Sequence, residues 1–232
     1  MARQRPKDRI PELIAAATRV FIESGGFQRT QIGDVARAMG VAKGTIYLYV
    51  ESKEALFDLV LRCADDTPRE PSALPMPTPA PGSTVELAAG RIRAGGRFPA
   101  LTEALSRTHV PEPRDELTRV LTEIYDVLAA NCTAIKLIGT SAHDLPELAA
   151  VWYGEGRARL SARLAEYIGM RTSAGQFAPI GSARVAARLV VETLTWFAVH
   201  RHWDPMPEPM DEDESRSTAL DVLVRGLRGD AN

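Results

Sequence analysis

Apolar residues recur at three- or four-residue spacing along almost the whole chain, and the period-2 alternation of β-strands is nearly absent. The first such stretch carries Ile10, Leu13, Ile14, Ala17, Val20 and Phe21. The same spacing returns in later segments up to residue 227. With 45% hydrophobic residues, the 232-residue chain can fill a real core. The pattern predicts a globular all-α protein.

Two stretches interrupt this pattern. Residues 68–82, with the sequence PREPSALPMPTPAPG, contain six prolines in fifteen positions, which a helix cannot accommodate. This composition predicts an extended connector, and the acidic residues 204–215 predict a solvated loop. We therefore expect an N-terminal domain over residues 5–64, a proline-rich connector over 65–83, and a C-terminal helical domain over 84–228.

The charge is uneven along the chain. Residues 1–62 contain 10 Lys and Arg against 7 Asp and Glu, whereas the remaining residues contain 18 against 23. A basic end on an acidic body is compatible with binding a polyanion, although ordinary uneven surface charge explains it equally well. The two cysteines predict neither a disulfide framework nor a zinc site, and we expect no metal and no cofactor. No secretory h-region or membrane-spanning run is present, so we expect a cytoplasmic protein without a membrane partner.

Two short helical segments, residues 32–39 and 42–49, lie on either side of Gly40. Ala36 is small where two helices must cross closely, Gly40 permits the positive φ of a tight turn, and Ile46 turns an apolar side inward. This spacing is typical of a DNA-binding helix-turn-helix, which we place at residues 32–51.

If Ile46 and Val50 face the core, the outer side of the second segment carries Lys43, Thr45 and Tyr47. Tyr and Thr hydroxyls can bond phosphates, their apolar parts can contact thymine methyls, and a lysine can reach a phosphate or a guanine edge. Gly44 would let the helix start approach the DNA backbone. For Tyr49 the pattern leaves two alternatives open, DNA contact and packing in the core.

Residues 15–61, AAATRVFIESGGFQRTQIGDVARAMGVAKGTIYLYVESKEALFDLVL, match a family pattern. Phe-x-x-x-Gly, Gly-Phe-x-x-Thr, Ile-x-x-Val-Ala, Gly-Val-x-Lys-Gly-Thr-x-Tyr-x-Tyr and Ser-Lys-Glu-x-Leu follow one another in the family's order and spacing. The region resembles the DNA-binding domain of TetR-family transcriptional regulators. The resemblance implies a three-helix helix-turn-helix domain followed by a helical ligand-binding and dimerisation domain.

The resemblance also implies individual contacts. Thr30 would cap the second helix and bind phosphate, and Tyr49 and Lys53 would hold the flanking DNA backbone. Gln31 replaces a second threonine of the family and could reach a base edge or a phosphate. Ala42 replaces the usual Ser or Thr, which removes an N-cap typically worth ~1 kcal/mol. Val50 replaces the usual Phe, so we expect looser packing beneath the second helix.

The rest of the chain predicts a body that binds an effector and forms a homodimer. Residues 182–202 are apolar around most of the helix and, with residues 215–228, are candidates for a two-fold four-helix interface. An intramolecular core helix is the alternative. Candidate effector-pocket residues, each of which could equally be plain core, are Tyr125, His143, Trp152, Trp196 and His200.

The resulting expectation is a ligand-responsive regulator, a repressor released from a palindromic double-stranded operator by a small molecule. We expect the connector to transmit little force, so that shortening residues 70–80 would leave operator affinity nearly unchanged. An architectural DNA-binding protein without effector is the alternative function. An enzyme is disfavoured because no catalytic motif appears, and we assign no catalytic residue.

Overall fold

A computed structural model describes residues 9–65, 71 and 73–229 of the chain. The start of the predicted DNA-binding domain, up to residue 8, and part of the predicted connector, residues 66–70 and 72, lie outside the described residues. Every regular element of the described part is helical, which confirms the all-α prediction. None of these helices is both long and apolar enough to cross a membrane.

The described chain is built from α-helices. In chain order these are α1 (Ile10–Glu23), α2 (Ile32–Ala38), α3 (Lys43–Ile46), α4 (Lys53–Cys63), α5 (Ser83–Gly95), α6 (Pro99–Leu105), α7 (Pro113–Ala130), α8 (Cys132–Ser141), α9 (Pro146–Ala149), α10 (Arg159–Ser173), α11 (Ala183–Ala198) and α12 (Glu212–Arg228). A π-helical segment, Ala150–Ala158, joins α9 to α10, and a 3-10 turn, His200–Trp203, follows α11.

The chain divides into two compact units. The first contains Met1–Arg91 together with Thr133–Trp152, and the second contains Ile92–Cys132 together with Tyr153–Asn232. In the first unit α1 packs against α2 and α4. Three phenylalanines fill the contact, since the ring of Phe57 lies 5.1 Å from that of Phe21 and 5.3 Å from that of Phe27. Edge-to-face rings of this kind add stability beyond their buried area.

Sequence signals fix the starts of α4 and α12. Ser52 is the N-cap of α4, and its hydroxyl oxygen accepts from the Ala55 amide at 3.1 Å. The prediction of a loop over all of residues 204–215 is wrong, because α12 begins inside this stretch. Asp211 caps the helix by accepting from the Glu214 amide at 3.0 Å, and the acidic residues that follow form the first turn. Negative charge stabilises a helix N-terminus, so this acidic run favours a helix.

The proline-rich segment packs within the first unit. Met76 pairs with the chain just after α3: its amide donates to the Tyr49 carbonyl at 2.7 Å, and its carbonyl accepts from the Glu51 amide at 3.0 Å. These two bonds tie the segment to the chain that follows α3, so it is not a free spacer. Sequence reasoning missed this because an isolated backbone pairing leaves no side-chain pattern.

The second unit contains a buried ion pair between Arg171 and Glu116. Here α10 packs along α11, and α7 contacts α6, α11 and α12. Arg171 is fully buried, and its guanidinium donates to the Glu116 carboxylate at 2.8 Å and to the carbonyl of Ala104 at 2.9 Å. The Tyr167 hydroxyl donates to the same carboxylate at 3.0 Å, and burial raises the pKa of this tyrosine. Every charge in the cluster is paired, as a buried charge requires.

Candidate nucleic-acid interface

The turn between α2 and α3 has the geometry that its sequence predicts. Gly40 adopts φ of +64°, and the Val41 amide donates to the Ala36 carbonyl at 2.9 Å, which closes the turn. A Cβ at Gly40 would meet no atom within 4 Å, so conformation and not space requires glycine here. Ala36 and Ile46 are both buried, one on each side of the turn.

The second helix of the motif is shorter than predicted. Its α-helical part covers only Lys43–Ile46, and the chain continues as a hydrogen-bonded turn in which the amides of Tyr49 and Val50 both donate to the Ile46 carbonyl. Ala42 occupies the N-cap position and supplies no side-chain hydrogen bond. The missing cap and the single turn explain why this helix depends on packing from beneath. Val50 is fully buried, so the smaller side chain still fills its place in the core.

One face of this short helix reaches solvent. Lys43, Gly44, Tyr47 and Leu48 are exposed, and Thr45 is half-buried. We call these five residues the recognition face. Within the described part of the chain, the Lys43 ammonium forms no salt bridge, and a Cβ at Gly44 would meet no atom within 4 Å. Packing therefore gives no reason for glycine at 44, which is consistent with close approach by another molecule.

Gln31 takes the N-cap position that the resemblance implied for Thr30. The backbone amide of Gln31 donates to the Asp34 carboxylate at 3.1 Å. Thr30 is buried, and its hydroxyl donates to the Gly26 carbonyl at 3.0 Å. The assignment of Thr30 as N-cap is therefore wrong, because the helix starts one residue later. Gln31 has an exposed side chain at the start of α2.

Tyr49 and Lys53 are engaged within the domain. Tyr49 is only 3% exposed, which favours the packing alternative for its ring. The Lys53 ammonium donates to the carbonyls of Phe27 and Thr30 at 2.9 and 3.1 Å, and it lies 4.3 Å from the centre of the Phe27 ring. Lys53 thus ties the first turn of α4 to the chain between α1 and α2.

The candidate effector residues divide between the two units. His143 and Trp152 belong to the first unit, whereas Tyr125, Trp196 and His200 belong to the second. Tyr125 is buried, and its hydroxyl donates to Glu212 at 3.0 Å; burial, with help from this bond, raises its pKa to about 12. Trp196 is partly exposed and packs edge-to-face on Phe197. These contacts give Tyr125 a place in helix packing and Trp196 a place on the surface of α11.

A cleft of about 510 Å³ lies in the second unit, beside the C-terminal ends of α10 and α12. Its lining includes His109, Gln176, Phe177 and Arg228. None of the five candidate effector residues is among the residues that line it. The sequence pattern could not find this cleft, because loops rather than helix stripes form it.

The first unit also fixes α8 against α1 and α4, a contact that sequence reasoning missed. Gly26 adopts φ of +109°, and a Cβ there would lie 2.8 Å from the Thr140 carbonyl oxygen, so that only glycine fits. The Phe27 amide donates to the Ser141 hydroxyl at 3.1 Å. At the other end of α8, the Asp65 carboxylate accepts from the amides of Thr133 and Ala134 at 2.7 and 2.8 Å. Both ends of α8 are therefore held by the chain that flanks the helix-turn-helix.

Comparison with known proteins supports the assignment of this region. Residues 13–60 match the family model described as bacterial regulatory proteins, tetR family. The fatty acid metabolism regulator protein of Bacillus subtilis is 43% identical over 54 residues, which span 23% of this chain and 26% of that relative. The matched stretch covers about a quarter of the relative's length.

Solved structures share the fold over nearly the whole chain. The ketosteroid transcriptional regulator KstR2 of Mycobacterium tuberculosis superposes with a TM-score of 0.57 at 15% identity, covering 96% of each chain. The TetR-family regulator PfmR of Thermus thermophilus gives 0.54 at 19% identity, covering 95% of this chain and 96% of that one. Residues 13–60 therefore match the tetR-family model, and the chain as a whole shares its fold with these solved regulators.

Proposed function

We propose that the protein is a ligand-responsive, sequence-specific regulator that represses transcription and leaves a palindromic operator when a small molecule binds. The recognition face carries this proposal. It combines an exposed ammonium, a hydroxyl, a glycine and an exposed aromatic ring on one helical turn that is anchored from beneath by Ile46 and Val50. Mixed donors and apolar groups of this kind suit a major groove, which presents both acceptors and thymine methyls.

Each DNA contact follows from where a side chain lies. Lys43 is placed for a phosphate or a guanine edge, Tyr47 and Thr45 for thymine methyls and phosphates, and Gly44 for close approach of the backbone. Gln31 is exposed at the start of α2, where free amides attract phosphate. Lys53 contributes by holding α4 in place, since its ammonium is already bonded to two carbonyls.

A homodimer would supply a second copy of the recognition face. The apolar side chains of α11 that reach solvent, Val185, Leu189 and Trp196, are spaced to lie along one side of the helix, and Val222 of α12 is also exposed. We assign these residues, the α11–α12 patch, to a two-fold four-helix interface. Two recognition faces would then read half-sites ~34–36 Å apart, one helical turn of DNA.

The contacts of α8 are candidates for coupling an effector to DNA. Gly26 and Ser141 join one end of α8 to the end of α1, and Asp65 joins the other end to the chain after α4. A ligand that shifts α8 would therefore act on the ends of α1 and α4, which pack against each other in the helix-turn-helix domain. A preference of a few kcal/mol for the shifted state is enough to release DNA.

Selection of binding sites from a random-sequence duplex library, followed by mobility shifts at graded salt, tests the DNA-binding proposal. We expect one palindromic sequence to be enriched and bound at least ~1,000-fold more tightly than a scrambled duplex of equal length. Similar affinity for both duplexes would instead show an architectural protein.

The effector proposal needs a separate test. We expect denaturing mass spectrometry of the purified protein, or thermal shift against a small-molecule library, to identify a compound that stabilises the fold. Added to the complex with the selected duplex, this compound should release the DNA. A compound that stabilises the protein and leaves DNA affinity unchanged would contradict the proposed coupling.

A further inference from the structure

The proline-rich segment contacts the chain at the end of the recognition helix, the name we give to α3 and the hydrogen-bonded turn that follows it up to Val50. The Met76 amide donates to the Tyr49 carbonyl at 2.7 Å, and the Glu51 amide donates to the Met76 carbonyl at 3.0 Å. Val50, between the two bonded residues, forms the bridge to Met76 and is fully buried. Two opposed hydrogen bonds thus fix the backbone two to four residues beyond Tyr47.

A second pair of bonds lies one step further along. The Thr78 amide donates to the Glu51 carboxylate at 3.0 Å, and its hydroxyl donates to the Ser52 hydroxyl at 2.9 Å. Ser52 is also the N-cap of α4. Through these hydrogen bonds Met76 and Thr78 bind Tyr49, Glu51 and Ser52. They therefore link the end of the recognition helix to the start of α4.

The segment is itself anchored on α4. After it, the Thr84 hydroxyl donates to the Asp58 carboxylate at 3.0 Å, and the Arg91 guanidinium donates to the Leu61 and Ala64 carbonyls at 3.1 and 2.6 Å. Prolines at 75, 77, 79 and 81 restrict the backbone on either side of the bonded residues. A segment so restricted loses little conformational freedom when it binds, so its hydrogen bonds hold their partners firmly.

The recognition helix needs such support. It is a single α-helical turn without a side-chain N-cap, and one turn of helix is not stable alone. Ile46 and Val50 hold its inner side, but apolar contacts do not fix rotation about the helix axis as directional bonds do. Base readout depends on that rotation, because hydrogen bonds to base edges tolerate little error in angle.

We propose that Met76 is a positioning residue for DNA recognition, whose backbone groups set the orientation of the recognition face through Tyr49 and Glu51. The inference rests on the proposed function, and it replaces the expectation that residues 70–80 could be shortened without effect. The loss of this pairing weakens binding to the selected sequence much more than binding to DNA in general, because phosphate contacts tolerate a misoriented helix and base contacts do not.

Proline at position 76 tests the proposal, since it removes the amide donor and keeps the carbonyl. We expect M76P to bind the duplex selected by the wild-type protein about tenfold more weakly, from the loss of one directional bond and the strain on the other. Affinity for a scrambled duplex should change less than about twofold. Hydrogen exchange at the Glu51 amide should be faster in M76P. M76A keeps the amide, and A80P adds a proline where the amide has no backbone hydrogen bond within the described chain, so both should bind as wild type does.

Each outcome decides the question. An unchanged ratio of specific to non-specific affinity in M76P, or an equal loss in M76A, overturns the proposal. If M76P melts well below wild type, T78V replaces it: this variant removes only the bond to Ser52, and we expect about threefold weaker specific binding with unchanged non-specific binding. An unchanged ratio in T78V would then count against it. If the wild-type protein itself prefers no duplex, the proposed function fails, and that result is distinct from any difference among the variants.

Discussion

Large apolar side chains reach solvent on two helices of this protein, with different neighbours in each case. On the recognition helix, Tyr47 and Leu48, which directly follow α3, are 42% and 53% exposed, and Lys43, Gly44 and Thr45 lie in α3 itself. On α11, Val185 and Leu189 are 67% and 58% exposed, with Trp196 two turns beyond Leu189. The first surface mixes apolar groups with a cation and a hydroxyl. The second places three large apolar side chains along one side of the helix, beside the ion pair of Arg188 and Glu192.

The difference shows that exposure alone does not indicate the partner. A groove of DNA offers phosphates and hydrogen-bonding base edges, and it rewards a surface with donors. Another protein helix offers apolar side chains, and it binds best to a surface in which apolar side chains predominate. The neighbours of an exposed Leu or Tyr therefore carry the information, and charge substitutions at matched positions on the two helices separate the two roles.

The largest effect is expected from L189E on α11. If the α11–α12 patch is a two-fold interface, the change places two carboxylates in it, and we expect the dimer to dissociate at least ~100-fold more readily. Sedimentation at graded protein concentration measures this. L48E is the matched control on α3, where we expect an intact dimer that no longer binds DNA. A dimeric L189E or a monomeric L48E would reverse the assignment of the two surfaces.

A smaller effect is expected from Y47A. Loss of the exposed ring and hydroxyl should weaken binding to the selected duplex about tenfold, with no change in melting temperature or oligomeric state, because the ring is not part of the core. Y47F keeps the ring and isolates the hydroxyl, and we expect about a threefold loss. Mobility shift at fixed salt measures both. Wild-type affinity in Y47A would exclude Tyr47 from the DNA contact.

Substitution of Lys43 tests the DNA-binding role of the recognition face through the salt dependence of DNA affinity. K43Q should lower affinity for selected and scrambled duplexes by about the same few-fold factor, and it should reduce the salt slope by about one for each phosphate that the Lys43 ammonium neutralises. K136Q, which changes a lysine of α8, is the control and should leave the slope unchanged. If K43Q weakens only the selected duplex, Lys43 contacts a base edge instead.

The smallest effect is expected from Y125F, which tests an aromatic residue inside the second unit. Its hydroxyl donates to Glu212, so its removal should cost about 1 kcal/mol of unfolding free energy and leave DNA affinity unchanged. The pKa of Tyr125 is raised to about 12 in the folded protein from the ordinary value of 10. The unfolded chain ionises first, so the wild type has this stabilisation below pH 10 and loses it as the pH rises toward 12.

Denaturant titrations at pH 7 and at the alkaline end of the folding range measure both effects for wild type and Y125F. The alkaline loss attributable to Tyr125 should disappear in Y125F. If an independently identified effector binds Y125F more weakly than wild type, Tyr125 lines the effector pocket after all.

The sequence correctly predicted features that depend on residues close to each other in the chain. The structure places Gly40 at the turn and Ile46 in the core, as the spacing indicates. Both residues act through neighbours within a few positions, as does Ser52 at the start of α4. The recognition face belongs to the same class, because the spacing around Gly40 decides which side of α3 is inward.

The errors arise where distant parts of the chain meet. Met76 bonds to residues 49 and 51 through backbone groups, which carry no sequence signature. The Ser141 hydroxyl accepts from the Phe27 amide across 114 residues, a separation that no local pattern reveals. The family resemblance gives Thr30 the cap role, yet the position of the helix start assigns that role to Gln31. The candidate effector residues are aromatic or histidine side chains in helical segments, and such side chains also serve packing, as Tyr125 does.

The close approach of Gly26 to Thr140 has a consequence for protein engineering. The space left by the missing Cβ is filled by the backbone of α8, more than one hundred residues away in sequence. A chimera that exchanges only residues 9–65 for those of another protein of this fold would therefore need a donor with glycine at the position of Gly26. The exchangeable module is discontinuous, and a graft that carries residues 133–144 along with residues 9–65 should fold where the shorter graft does not.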